Sequence, residues 1–591
     1  MIHRVILAIA LLSVSSLYST VDAQELLLRD DFDGTGIVDP SVWRIPFGGE
    51  GSFVGRTQFR GDFGVDFPAQ GVTGGTSDGK VLEIDLDTFS PIDPGNQFLG
   101  TDILTKRNFA RAGGITIEAR MRLKPTTAGG LVNGFFLFDV TRDTPEGTNT
   151  LVRDEIDWEL LSNQATGGSP PQDPASNFWN DGPFTGPNSG GDFQFHDVSG
   201  VDLTQFQDYK IEWTPDNIKW FVNDNLVRTQ TTNIPDDPMK LHFNIWAAAD
   251  DFGAAYDATL QPAATAAANQ KFQVQVDHVE VNRINTTTTE KLANGGFEAG
   301  VLWSVSGNGP APTFDADTET GEWIGFNRTS LEFGTEVAPS EGLTTVKMFG
   351  PFKGSTDASG VFQNAAATPG QEFEASVKAF APSFDPIRPN PDGDFNNDGV
   401  VDGEDYTVWR DNLGATLELP NDTTGEAMIG QAQHDLWAAN YSETGGTENF
   451  TTIALSFHDA NGDVLQERFG LPEPMDPDSN LRDKNGQETP IFDGRDPNLD
   501  SLEDEWIKYQ VNAIAPAGTA FVRYNLFFIQ IANEGGSVQF DEASLLLLEP
   551  TTSGSLQLIT NVPEPSGLLL LLPALFATAG WQLSRRTRVI S

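Results

Sequence analysis

The chain has 591 residues, with 84 Asp plus Glu against 36 Lys plus Arg and no cysteine. A net charge of −48 repels phosphate backbones and excludes nucleic acid as a partner; the missing thiols exclude disulfide scaffolds, thiol catalysis and zinc–thiolate sites. At ~100–200 residues per domain the length points to about three or four domains, and 38% apolar with 10% aromatic residues excludes disorder throughout.

In chain order, residues 1–23 read as a secretory signal peptide: His3 and Arg4 precede an apolar stretch, and Val21-Asp22-Ala23 surrounds a cleavage point before Gln24. Residues 24–285 carry repeated alternation. Ile115, Ile117, Ala119, Met121 and Leu123 alternate with Thr116, Glu118, Arg120 and Arg122, the pattern of a half-buried strand. Tyr209, Ile211 and Trp213, and then Phe272, Val274 and Val276, repeat it. No long helix-period segment intervenes, so a sandwich or jelly roll is expected. The Thr-rich stretch 285–289 reads as a linker. A second β region occupies 290–388 and 447–548, with strands over 373–381 and 452–457. Between its halves, the acidic segment 389–446 holds two helical patches, 406–413 and 432–441, and reads as a small domain inserted in a loop. Residues 549–591 form a linker and tail. Pro563-Glu564-Pro565 is followed by an apolar run over 567–581, interrupted by Pro573 and short of the ~20 residues a spanning helix needs. Arg585, Arg586 and Arg588 close it and are expected to stay cytoplasmic. This tail resembles the Pro-Glu-Pro C-terminal sorting signals of exported bacterial proteins, which implies a sorting enzyme as partner and a transient membrane anchor at the cell surface.

The most informative stretch is Arg153-Asp154-Glu155-Ile156-Asp157-Trp158-Glu159-Leu160-Leu161. In a strand Glu155, Asp157 and Glu159 share one face, with Ile156, Trp158 and Leu160 on the other. Three acids in a row repel one another. That repulsion has a chemical use, because it raises one carboxyl pKa while a neighbour stays ionised. A retaining glycosidase needs this pairing, with its two carboxyl groups roughly 5–5.5 Å apart. The backbones of Glu155 and Glu159 would be about 13 Å apart, so long side chains must lean inward over a curved sheet. A solvated acidic strand face is the plainer alternative.

Other motifs surround the acids: Gly129-Gly130-Leu131-Val132-Asn133-Gly134 before them, then Ser176-Asn177-Phe178-Trp179, Tyr209-Lys210-Ile211-Glu212-Trp213 and Asn244-Ile245-Trp246. In this order they resemble glycoside hydrolase family 16 over about residues 28–283. The resemblance implies an all-β fold, a concanavalin-like jelly roll with an open cleft. It implies Glu155 as nucleophile, Glu159 as general acid/base and Asp157 as the residue that tunes them. It also implies sugar contacts from Asn177, Trp179, Asn244 and Trp246. Spacing without the extra residue of the Glu-x-Asp-x-x-Glu branch resembles the lichenase and xyloglucan side of the family. Trp213 and Trp220 are assigned to the core, and His196 either to the cleft or to a structural hydrogen bond.

In the insert, Asp394, Asn396, Asp398, Asp402 and Asp405 fall at positions 1, 3, 5, 9 and 12 of a loop with Gly399 at its turn. Oxygen ligands at this spacing wrap Ca²⁺. With Asp at position 12 and a following helix, the segment resembles a type I dockerin, which implies a cohesin-like partner. Aligning Trp437 with Trp409 puts Asp422, Thr424, Glu426, Gly430 and Gln433 at the ligand positions of a damaged second copy. The second β region resembles carbohydrate-binding modules through its Asn-Gly-Gly-Phe-Glu opening. The expectation is an exported endo-glycosidase acting on a β-linked polysaccharide, with β-1,3 or β-1,3-1,4-glucan favoured. It has structural calcium in the insert and needs no cofactor for catalysis. Transglycosylation at the same site and a non-catalytic glycan-binding surface protein are the alternatives.

Overall fold

A computed structural model describes residues 24–551 except 46, 49–54, 61–67, 75, 77, 144–149, 166–171, 184–190, 299–302, 306–322, 351–356, 386–390, 397–400, 418, 442–448, 466–480, 484–487, 494–502 and 531–535. The expected signal peptide, residues 1–23, and the expected Pro-Glu-Pro sorting tail lie outside the described residues. None of the described helices is long and apolar enough to cross a membrane.

The alternating segments pair antiparallel into two layers. The back sheet runs Asn225–Gln230, Ile218–Val222, Gln207–Trp213, Ile115–Leu123, Lys271–Arg283, Lys80–Asp87, Ala69–Thr73. The front sheet runs Gln194–Phe195, Ala175–Pro183, Thr150–Leu161, Leu131–Asp143, Lys240–Ala247, Phe98–Thr105, Trp43–Arg44. Alternation explains the core between them. Ile115, Ile117, Ala119 and Met121 face Phe135, Leu137, Ile156, Trp158 and Phe243, all wholly or almost wholly buried. This is the expected jelly roll. Trp213 and Trp220 stand in that core as expected, each indole donating to a backbone carbonyl, of Pro235 (2.9 Å) and of Asp157 (3.0 Å).

The second β region is also a two-sheet sandwich. One sheet runs Thr329–Glu332, Thr345–Phe349, Ser537–Pro550, Glu372–Phe380, Ile507–Ile514; the other runs Trp303–Val305, Ile324–Phe326, Asp357–Ala366, Phe521–Gln530, Phe450–His458, Glu488–Asp493. Its core packs Phe373, Val377, Phe457, Tyr524, Phe528 and Phe540. The helical insert lies in the chain between Glu372–Phe380 and Phe450–His458.

One expectation is corrected. The Thr-rich stretch is no linker: Thr286–Glu290 is a strand on Ser537–Pro550, with Thr286 opposite Pro550 and Glu290 opposite Leu546. Thr is β-branched and favours the extended backbone, and here a largely exposed low-complexity stretch forms an edge strand. The two sandwiches also share buried polar contacts. Asn108 and Asn512 exchange four hydrogen bonds of 2.9–3.4 Å, and Glu374 pairs with Arg283 (2.5 Å) and Arg107 (3.2 Å).

Candidate active site

The acid strand Thr150–Leu161 lies inside the front sheet, so its inner face must be apolar and its outer face is free for chemistry. Ile156, Trp158 and Leu160 are buried inward; Glu155, Asp157 and Glu159 take the outer face. Register sets three rows across the sheet: Trp179, Glu155, Phe138 and Lys240; Asn177, Asp157, Phe136 and His242; Ala175, Glu159, Gly134 and Asn244. Residues directly opposite have Cβ atoms about 4.5–5.5 Å apart, so the expected residues do converge on one surface. Gly134 makes room within it. Its N–H donates to Asn244 Oδ1 (2.9 Å), and a Cβ there would lie 2.7 Å from that oxygen.

The three acids differ in proton affinity. Burial raises the Glu155 carboxyl, while the Arg153 guanidinium and the charge of His242 pull it down. Arg153 Nη1 stands 3.4 Å from Glu155 Oε2. Asp157 is pushed well above the usual carboxylate range by burial, then by the charges of Glu155 and Glu159. Both Asp157 carboxylate oxygens are buried without a hydrogen-bond partner, which disfavours its anion. Glu159 is raised to about 8 by burial and by Glu155, against a hydrogen bond from Asn177 and the charge of Arg153. At neutral pH Glu155 is the acid with the most support for its anion, and Glu159 holds a proton.

Trp179 and Trp246 reach the acid-bearing face but are only 5% and 8% exposed. The Arg153 guanidinium lies 3.6 Å over the Trp179 ring, and a Cβ on Gly191 would come within 2.3 Å of that indole. Trp246 stacks on Phe252 at 5.9 Å. Both rings are largely covered by protein. The amide oxygens are engaged too: Asn244 Oδ1 accepts from Gly134 N, and Asn177 Oδ1 accepts from Phe178 N (3.0 Å).

Sequence reasoning missed Arg153, Asp102 and His242. His242 Nδ1 lies 3.2 Å from Asp102 Oδ2, and the ring stacks on Phe136 at 4.7 Å. Position alone was a usable signal, since His242 is two residues before Asn244 on the same strand face. His196 is structural: Nε2 bonds Ser176 Oγ (2.8 Å), the ring packs edge-on to Trp158, and burial lowers its pKa to about 4. Asp154, Asp181 and Asp237 bring carboxylate oxygens within 4.8 Å of one another. Asp154 accepts three backbone N–H groups there, from Asp181, Asp236 and Asp237, which ties the acid strand to the neighbouring strand Ala175–Pro183 and to the segment before Lys240–Ala247.

In the insert, Asp394 and Asp405 are wholly buried. Asp405 accepts from Asn396 N (3.0 Å) and Asp402 N (2.7 Å), and Asp402 caps the helix Gly403–Asp411 through Glu404 N. Asp398 lies outside the described residues. The side-chain donors are oxygens of carboxylates and an amide, with two carboxylates out of water, a set that fits a hard cation such as Ca²⁺.

Residues 71–280 match the model of the glycosyl hydrolases family 16. The matched segment contains the acid strand and every residue of the three rows. A beta-glucanase of Bacillus amyloliquefaciens is 32% identical over 139 residues, 23% of this chain and 51% of that protein. Crh-like protein 4 of Botryotinia fuckeliana is 25% identical over 266 residues, 42% of this chain and 66% of that one. The solved Bacillus licheniformis beta-glucanase is 20% identical, aligned over 45% of this chain and 100% of its own, with a TM-score of 0.32. The chain spans about half or less of the first curated relatives' lengths.

Proposed function

We propose that the chain is an exported, retaining endo-glycosidase that cuts β-1,3 or β-1,3-1,4-glucan by double displacement. The observation that carries this reading is the graded set of acids on one strand face. Glu155 attacks the anomeric carbon, and Glu159, protonated up to about pH 8, gives its proton to the leaving oxygen. Glu159 then takes a proton from the water that cleaves the glycosyl–enzyme. Asp157, between the two glutamates on the same strand face, is a positioning residue for both. The family 16 match and the beta-glucanase relatives support the substrate class. Export rests on residues 1–23 and on the Pro-Glu-Pro tail, which call for a sorting enzyme. The insert is proposed to hold structural calcium through Asp394, Asn396, Asp398, Asp402 and Asp405, and to offer a surface for a cohesin-like partner.

The test is a panel of mixed-linkage glucan, laminarin, agar and xyloglucan. The parent is expected to release reducing sugar from at least one glucan, and Glu155→Ala to lose at least ~10³-fold of that rate. Unchanged release by the variant would exclude the mechanism. Products longer than the starting chains, read by mass spectrometry, would reassign the site to glycosyl transfer.

A further inference from the structure

The insert is a duplication with a 28-residue offset, from Asp394 to Asp422. Several contacts repeat at that offset. Trp437 Nε1 donates to Asp402 O (2.6 Å), and its counterpart Trp409 Nε1 donates to Gly430 O (2.8 Å). Asn412 and Asn440 end their helices alike, each Nδ2 donating to the carbonyl four residues back. Each loop's ninth residue donates its N–H to the twelfth side chain: Asp402 to Asp405 at 2.7 Å, Gly430 to Gln433 at 2.8 Å. The two halves therefore share a backbone frame and differ in what closes it.

In the first loop the twelfth side chain is a buried carboxylate, Asp405, on a loop that also buries Asp394. In the second it is Gln433, equally buried, and its Nε2 donates to Asp422 Oδ2 (2.9 Å) and Thr424 Oγ1 (2.8 Å), the first and third positions. Thr424 Oγ1 in turn bonds Asp422 Oδ1 (2.6 Å). An amide nitrogen thus sits among the oxygens that would otherwise turn to a cation, and it supplies two N–H donors to them. The ninth position, Gly430, has no side chain to add a ligand.

We propose that the second loop is locked without metal, the Gln433 carboxamide standing in for the ion, so that the insert takes one calcium per chain. The stoichiometry rests on the calcium reading of the first loop; the lock does not. The test uses the full chain, stripped with chelator and titrated with CaCl₂ by calorimetry, alongside hydrogen exchange over residues 419–433 read by mass spectrometry. One equivalent is expected for the parent and none for Asp405→Asn. Gln433→Asp restores a carboxylate at position twelve and is expected to take two. Two equivalents in the parent, or still one in Gln433→Asp, would overturn the proposal. No calcium in the parent would instead remove the reading of the first loop. The lock is then decided by Gln433→Ala, which is expected to raise exchange over 419–433 at least tenfold in calcium and in chelator alike; unchanged exchange would overturn it.

Discussion

Asn177 stands opposite Asp157, diagonal to Glu159 on the acid face. Its hydrogen bond pulls the Glu159 carboxyl down against burial and the charge of Glu155, leaving it near 8. Two outcomes follow at this scale. Activity should fall about tenfold per pH unit above about pH 8, as the acid loses its proton; Asn177→Ala should move that limb to higher pH, read from kcat/KM profiles. Stability carries the opposite mark. A carboxyl whose folded pKa is raised from 4.5 to about 8 contributes stability fully present below 4.5 and lost as pH rises through 8. Glu159→Gln removes that loss, so the variant should melt higher than the parent at pH 8 while the gap closes below pH 4, by roughly 2–4 °C per kcal/mol relieved. The acids were legible in the sequence because a period of two sorts faces without knowledge of neighbours. Arg153 over Trp179 and His242 beside Asp102 were not, because those pairs depend on contacts across strands that local spacing does not encode.

At the scale of elements, strands declared themselves where apolar and polar residues alternate, and both insert helices appeared within a few residues of their expected places, as Gly403–Asp411 and Gln431–Ala439. The Thr-rich strand Thr286–Glu290 did not, since four threonines show no contrast between faces and its partner is more than 250 residues away. The insert itself has a very small core, Phe395, Leu419 and Ile429, with Val408, Trp409, Leu436 and Trp437 packed around it. A core that small needs further support, which on the present reading comes from calcium in one loop and Gln433 in the other. Chelation should therefore remove one low-temperature transition from the calorimetric trace and leave both sandwich cores intact. A trace unchanged by excess chelator would argue against calcium in the insert.

Across the whole molecule, the expected string of separate modules becomes a fused pair. Glu374 is buried between Arg283 and Arg107 and couples the second sandwich to the first. Removing one partner of a buried pair leaves uncompensated charge and costs about 3–5 kcal/mol. Glu374→Ala should lower the melting temperature by roughly 3–5 °C, and both sandwiches should shift together. Separate melting with only one affected would contradict the coupling. This seam was invisible in the sequence, because the contacts join residues 91 to 404 positions apart.

The insert enters from one strand of the second sandwich and returns to another, Glu372–Phe380 and Phe450–His458. A module hung at a chain terminus is shed by a single proteolytic cut. This one stays held after the first cut, because each new end still leads back to a strand in the sandwich; a second cut on the other side is needed to release it. For a cysteine-free chain with no covalent cross-link to retain a severed piece, that placement doubles the number of events needed to lose the module.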